Sequence, residues 1–414
     1  MIERKDCLSP TSCFLVTLII LLVSAPYGFA GSKYEVLWRF AQNGKAGYTP
    51  GGLIADSAGN LYGVTTAGGK YGSGTVYQLT PPATGGGDWT MSVIYSFPSG
   101  PGAGPAALIL DSSGNLYGTT LTGDGTVFQL QRPANKDGKW TETDIYIFRG
   151  WDGYEPLALA FDAAGQLYGT TLAGGRYCGG FGCGTVYKLT PPAHGHGNWK
   201  RTVVYFFKGV LGNGNGDGSG PIALTFANDG NFYGTTLYGG TCQQGDCGGT
   251  VFQLAPPKKK ECVWREKVLY RFAPSGDSNN PFSGVVRDKS GALYGTTDES
   301  VYQLLFVGGV WTLNTLLSGD YLYNGVILDK SGNVYGSILY DYRHIDGTVY
   351  KLSPPDWTET LLHAFAHGRD GSAPASQLVF GLDGALYGTT LRGGNNQCNI
   401  DGGVGCGTVF RVAP

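Results

Sequence analysis

The chain has 414 residues, only 14% of them charged, and its formal net charge of -2 offers no field to draw it to nucleic acid or an anionic membrane surface. It holds 70 glycines and 13% aromatics, a balance that favours turns and strands over helices. Apolar residues make up 42%, enough for a core, but beyond the N-terminus they fall in runs too short to span a membrane.

At the N-terminus Arg4 and Lys5 precede an apolar run from Phe14 to Val23, and Gly28 and Ala30 place small residues where a signal peptidase reads them. This predicts a signal peptide over residues 1–30 with cleavage after Ala30. The run is short of the roughly 20 residues a bilayer span needs, which makes an uncleaved anchor the weaker reading. A lipoprotein would need a cysteine just after the run, and Cys13 comes before it. Residues 31–414 are therefore expected to form one extracytoplasmic domain, secreted or periplasmic. It is read as a monomer with no membrane partner after cleavage and no anchor at its C-terminal Val412-Ala-Pro.

From there on the chain repeats itself. A Tyr-Gly pair recurs at Tyr62, Tyr117, Tyr168, Tyr233, Tyr294, Tyr335 and Tyr387, at spacings of 41 to 65 residues. The second copy shows the unit: Pro105 to Asp111, a Ser-Ser-Gly turn, Asn115-Leu-Tyr-Gly-Thr-Thr120, a Gly-rich loop, Gly125-Thr-Val-Phe-Gln-Leu130, and Trp140 to Phe148. Each unit holds four short runs enriched in β-branched and aromatic residues and bounded by Gly, Pro, Asn, Asp or Ser, which predicts four strands. Four-stranded antiparallel units repeated in this way predict the blades of a β-propeller. Tyr34 to Phe40 matches the fourth strand of other units, whereas the seventh unit stops at its third strand, Gly407 to Val412. Placing the N-terminal strand on the last sheet completes an all-β, seven-bladed β-propeller of four antiparallel strands per blade and removes two open edges.

The repeat resembles the GloVer tandem repeat of exported bacterial proteins, through Leu-Tyr-Gly-Thr-Thr, a following Gly-Gly, and Gly-Thr-Val-Phe/Tyr-x-Leu. Copies one to four and seven fit well, as in Gly63-Val-Thr-Thr-Ala-Gly-Gly69 and Gly388-Thr-Thr-Leu-Arg-Gly-Gly394. The fifth copy runs from Thr297 through Asp298-Glu-Ser to Val301 without the Gly-Gly loop, and the sixth has Ser337-Ile-Leu in place of Thr-Thr. Those two blades are expected to be trimmed on one face. The resemblance implies a fold and a surface-associated setting, and no mechanism.

The seven tyrosines are read as packing between blades, and the Gly after each as permitting close approach of a neighbouring sheet. Trp89, Trp140, Trp199, Trp264, Trp311 and Trp357 are read as outer-strand packing. This strand order sends the second-to-third-strand loops and the blade-to-blade loops to one face. There they include the variable segments 173–184, 209–220, 238–249 and 392–407. A ligand at the channel mouth on that loop-rich face would meet Trp151, Asp152 and Tyr154, then Asp217, Asp277, Asn279, Asn280 and Asp370, and aromatics beside acids and amides suit sugars.

Six cysteines form local pairs in equivalent loops, Cys178 with Cys183, Cys242 with Cys247, and Cys398 with Cys406, and are read as disulfide staples. A zinc site built from the first two pairs is the weaker reading, and Cys262 has no evident partner. No cofactor is expected. Asn213 to Ser219 places oxygens at alternate positions as a calcium loop does, without the closing Glu, so it reads first as a flexible insertion; His194 and His196 lack a third ligand. No His-Glu-x-x-His, Gly-x-Ser-x-Gly or P-loop is present. The sequence thus leans to a non-catalytic module that binds a carbohydrate or a surface protein. The alternatives are a polysaccharide lyase or glycosidase with acids from separate blades, and a structural adhesin.

Overall fold

The computed structural model describes residues 34–414 except 43, 84–86, 136–137, 194–197, 211–215, 244–245, 259–262, 274–279, 320, 341–343, 396–397 and 401–402. The expected signal peptide, His194, His196, Cys262, Asp277 and Asn279 lie outside the described residues. The repeats form seven antiparallel sheets, six of them running from an inner strand to an outer one in chain order. They span residues 48–96, 105–147, 154–206, 219–271, 286–318, 327–364 and 372–412. We number these blades 1 to 7. Among the described residues the only helical elements are two three-residue 3-10 turns.

Burial explains the strand patterns. The second and third strands are covered on both faces by neighbouring blades, so Leu116–Thr120 is buried throughout and Thr126–Gln131 is buried except at its end and one position. The outer strand Thr141–Ile147 has one covered edge and alternates toward solvent. The expected closure is found. Tyr34–Arg39 pairs antiparallel with Thr408–Val412 as the outer strand of blade 7, and Phe40, at its end, packs edge-on against Tyr77 of blade 1 at 5.3 Å.

Repeated contacts join the blades. A phenylalanine ending the outer strand meets the third-strand aromatic of the next blade, as in Phe97 with Phe128 at 5.1 Å and Phe148 with Tyr187 at 5.3 Å. The repeated tyrosine meets the next blade's outer-strand tryptophan, as in Tyr62 with Trp140 at 6.3 Å and Tyr387 with Trp89 at 5.8 Å. Its hydroxyl is hydrogen-bonded to the aspartate of its own first turn, 3.0 Å from Tyr62 to Asp56. Burial, followed by the charge of Asp56, pushes the Tyr62 hydroxyl up to about 12.

The glycine after each tyrosine serves a different purpose from the expected one. The third-strand aromatic of its own blade lies across it: a Cβ on Gly63 would run into Tyr77, one on Gly118 into Phe128, and one on Gly388 into Phe410 at 2.6 Å. The close approach is made within a blade. The glycine of Gly-Thr-Val supplies the contact between blades. A Cβ on Gly74, whose φ is +98°, would stand 2.7 Å from Cδ of Pro105, the proline that begins the next inner strand. Gly125 with Pro156, Gly184 with Pro221, Gly249 with Pro281, Gly347 with Pro374 and Gly407 with Pro50 repeat the arrangement.

Candidate functional site

Six of the seven junctions carry that Gly-Pro contact, and the junction of blades 5 and 6 does not. Glu299 stands in the glycine position and Leu322 in the proline position, directly after Tyr321. The loop between the second and third strands of blade 5 is cut to a tight turn in which Thr297 N donates to the Ser300 carbonyl at 2.8 Å. With neither loop nor proline to cover it, this part of the loop-rich face presents aromatic side chains.

Four rings form a chain there. Phe282, at the start of blade 5's inner segment, meets Tyr323 edge-on at 4.7 Å. Tyr323 meets Tyr321 at 5.8 Å, and Tyr321 meets Tyr340 at 5.8 Å and 90°. Phe282 and Tyr321 are exposed, and Tyr323 and Tyr340 are half-buried. Tyr321 sits at φ 59°, a conformation that non-glycine residues seldom adopt. Its backbone is fixed by neighbours: its carbonyl accepts from Leu339 N at 3.2 Å, and Leu322 N donates to the Asp298 carbonyl at 3.2 Å. Asp298 lies beside the aromatic chain, its carboxylate accepting from Asn280 N at 3.4 Å. Flat rings flanked by a carboxylate and backbone groups can stack on the apolar face of a sugar while the polar groups meet its hydroxyls.

Of the residues read from the sequence, Asn280 lies beside the aromatic chain and the other described ones are placed elsewhere on the same face. Trp151 is 80% exposed in the loop between blades 2 and 3, and Tyr154 begins the inner strand of blade 3. Asp152 is 5% exposed, and its carboxylate accepts from Tyr146 Oη and from Arg149 N, with Arg201 beside it at 3.8 Å. Asp217 repeats this one junction on, accepting from Tyr205 Oη and Lys208 N. Asp370 repeats it between blades 6 and 7, with His363 Nε2 at 3.2 Å and Ala366 N at 2.8 Å. Burial opposes ionisation of Asp370, but these donors prevail and hold its carboxyl below the usual carboxylate range. The three acids thus occupy one repeated position, each fastening the loop that enters the next blade to the preceding outer strand.

Beside Asp217 one acid is unusual. Glu266, on the outer strand of blade 4, shares the Tyr205 hydroxyl with Asp217 at 3.3 Å, and burial together with the Asp217 charge pushes its carboxyl up to about 7. Among the described residues no group of three or more His, Cys, Asp or Glu is gathered as a metal ion would require.

Two expected disulfides are present, Cys178–Cys183 and Cys398–Cys406, each with a Cα separation of 5.5 Å. Cys242 and Cys247 face each other as register partners in a two-residue ladder. The two disulfides brace the long loops of blades 3 and 7. The unbraced, shortened blades 5 and 6 hold the aromatic chain. That array was not named from the sequence, because its rings come from two blades; the signal was the joint loss of the Gly-Gly loop and the inner-strand proline.

Known structures share the architecture. The extracellular domain of a hybrid two-component system from B. thetaiotaomicron is similar, with a TM-score of 0.55 at 9% identity over 91% of this chain and 39% of that one. A second such domain from B. thetaiotaomicron gives 0.53 at 12% identity, over 92% of this chain and 41% of that one. PorZ of Porphyromonas gingivalis, an essential bacterial surface component of the type-IX secretion system, gives 0.50 at 15% identity, over 90% and 47%. The chain spans less than half the length of each of these proteins, and at such identity the likeness concerns the fold. No curated protein matches the sequence. The family model of the Gloeobacter/Verrucomicrobia repeat matches residues 49–311, more than half of the chain, which therefore belongs to that repeat family.

Proposed function

We propose that this protein is an extracytoplasmic, non-catalytic propeller that binds a cell-surface carbohydrate through its loop-rich face. The observation that carries the reading is the chain of rings Phe282, Tyr323, Tyr321 and Tyr340 at the one junction stripped of its covering loop and proline. Exposed aromatics on a rigid scaffold lose little conformational entropy on stacking, so they favour a ligand with flat apolar faces and many hydroxyls. Trp151 extends the same chemistry to the junction of blades 2 and 3. The disulfides suit an oxidising compartment, secreted or periplasmic.

Binding to immobilised bacterial and plant cell-wall polysaccharides tests the reading. The full chain should retain at least one of them, and Tyr321→Ala and Tyr340→Ala should each weaken that binding by about tenfold. Loss on Trp151→Ala would place the junction of blades 2 and 3 in the same footprint. Absence of any glycan binding, or binding indifferent to both tyrosine substitutions, overturns the proposal.

A further inference from the structure

The opposite face, where the first hairpin turns lie, has its own irregularity. Beside the repeated tyrosine or the aspartate it bonds, a cation stands at four junctions. Lys188 lies over the Tyr168 ring at 5.5 Å and Lys351 over Tyr335 at 5.7 Å. Arg287 lies over Tyr233 at 5.7 Å while paired with Asp229 at 3.7 Å, and Arg411 pairs with Asp383 at 2.7 Å. Between blades 2 and 3 the residue opposite Tyr117 is Gln129, in the register position that holds Lys188 and Lys351 in blades 3 and 6 and Gln78, Gln253 and Gln303 in blades 1, 4 and 5. Its shorter side chain stops at the Tyr117 hydroxyl, with Nε2 donating at 2.6 Å. A cavity of about 880 Å³ is left open there.

We propose that this cavity is a second ligand site, for a neutral, hydroxyl-bearing molecule of the short-oligosaccharide class. Trp199 and Phe161 form its apolar wall, both set edge-on to Tyr117 at 6.3 and 5.3 Å. Gln129, Gln131 and Asn198 supply amides that donate and accept in the same plane, as vicinal hydroxyls require. The Oδ1 atoms of the lining Asp111 and Asp162 are already used by the amides of their own turns. Among the described residues no lysine or arginine lines the space, and Asp111, Asp144 and Asp162 do, which disfavours an anion there. The volume lies within the usual range for ligand sites of roughly 300 to 1,000 Å³. The site is independent of the aromatic chain on the other face.

Gln129→Lys places in blade 2 the side chain that blades 3 and 6 already carry, so it should fill the cavity and leave the fold intact. Thr143→Arg, at an exposed point of the lining, blocks it from the solvent side. Cellotetraose, xylotetraose, mannotetraose and maltotetraose are titrated calorimetrically into the full chain. We expect at least one to bind at millimolar concentration or below, both blocking variants to weaken it at least about tenfold, and Tyr321→Ala to leave it unchanged. Failure of all four sugars to bind overturns the inference. So does binding that survives both blocking variants, and binding lost only with Tyr321→Ala assigns the sugar to the other face.

Discussion

In blade 6 Ile338 stands opposite Thr348, and the buried Thr348 hydroxyl has no hydrogen-bond partner. At the equivalent position five blades pair two threonines, such as Thr120 with Thr126 at 2.9 Å and Thr236 with Thr250 at 2.8 Å, and blade 5 pairs Thr297 with Ser300 at 3.1 Å. The second Thr of Leu-Tyr-Gly-Thr-Thr thus locks the third strand where the variable loop departs. The sixth copy has lost one half of the lock and kept the other.

Thr348→Val should therefore stabilise the protein, by about 1 kcal/mol, because it removes a buried hydroxyl that gains nothing from folding. The same exchange at Thr126 should destabilise by a similar amount, because it takes away the hydroxyl partner of Thr120, which keeps only the bond from Thr126 N. Thermal unfolding followed by calorimetry compares the two, and equal signs would refute the account.

The third-strand aromatics offer a second comparison. Tyr77, Tyr187, Tyr302 and Tyr350 are fully buried with unpartnered hydroxyls, whereas Phe128, Phe252 and Phe410 occupy the same position in the other blades. Replacing any of the four by Phe should be neutral or stabilising by about 1 kcal/mol. Tyr62→Phe should destabilise instead, since that hydroxyl is bonded to Asp56. Denaturant midpoints at constant slope measure both.

Stability should fall as pH rises from about 4.5 to about 7, through Glu266. Its carboxyl is pushed up to about 7 in the folded protein, first by burial and next by Asp217, against an ordinary value of 4.5. The folded form holds this proton more tightly than the unfolded chain, so its contribution is complete below 4.5 and is lost as the folded group ionises near 7. Glu266→Gln should remove this part of the slope and raise the melting temperature at pH 8. An unchanged profile in the variant would show that Glu266 does not carry it.

Much of the fold was legible because each blade repeats the same local rules. The match of Tyr34 to Phe40 with other outer strands announced the ring closure before any packing was visible, since strand period and aromatic placement are properties of short segments. The packing partner of the repeated glycine was not legible, because two sheets covering the same residue leave the same sequence signal. Asp152, Asp217 and Asp370 look like free acids in a loop. Their donors Tyr146, Tyr205 and His363 lie on the preceding outer strands, and nothing local in the sequence ties each to its acid. The aromatic chain was hidden for a similar reason, since its four rings span residues 282–340 and meet only when two blades close together.

Closure by Tyr34–Arg39 has a consequence for the birth of the molecule. The pairing of Tyr34 with Val412 and of Arg39 with Thr408 joins two strands separated by nearly the whole sequence of the ring. Contacts of such sequence separation are slow to form, so the ring cannot close before Thr408–Val412 is in place to receive Tyr34–Arg39. A chain broken off early has no Thr408–Val412 to receive its first strand, and it keeps open sheet edges that invite aggregation and proteolysis. A closed ring thus reports that the chain from Tyr34 to Val412 is whole.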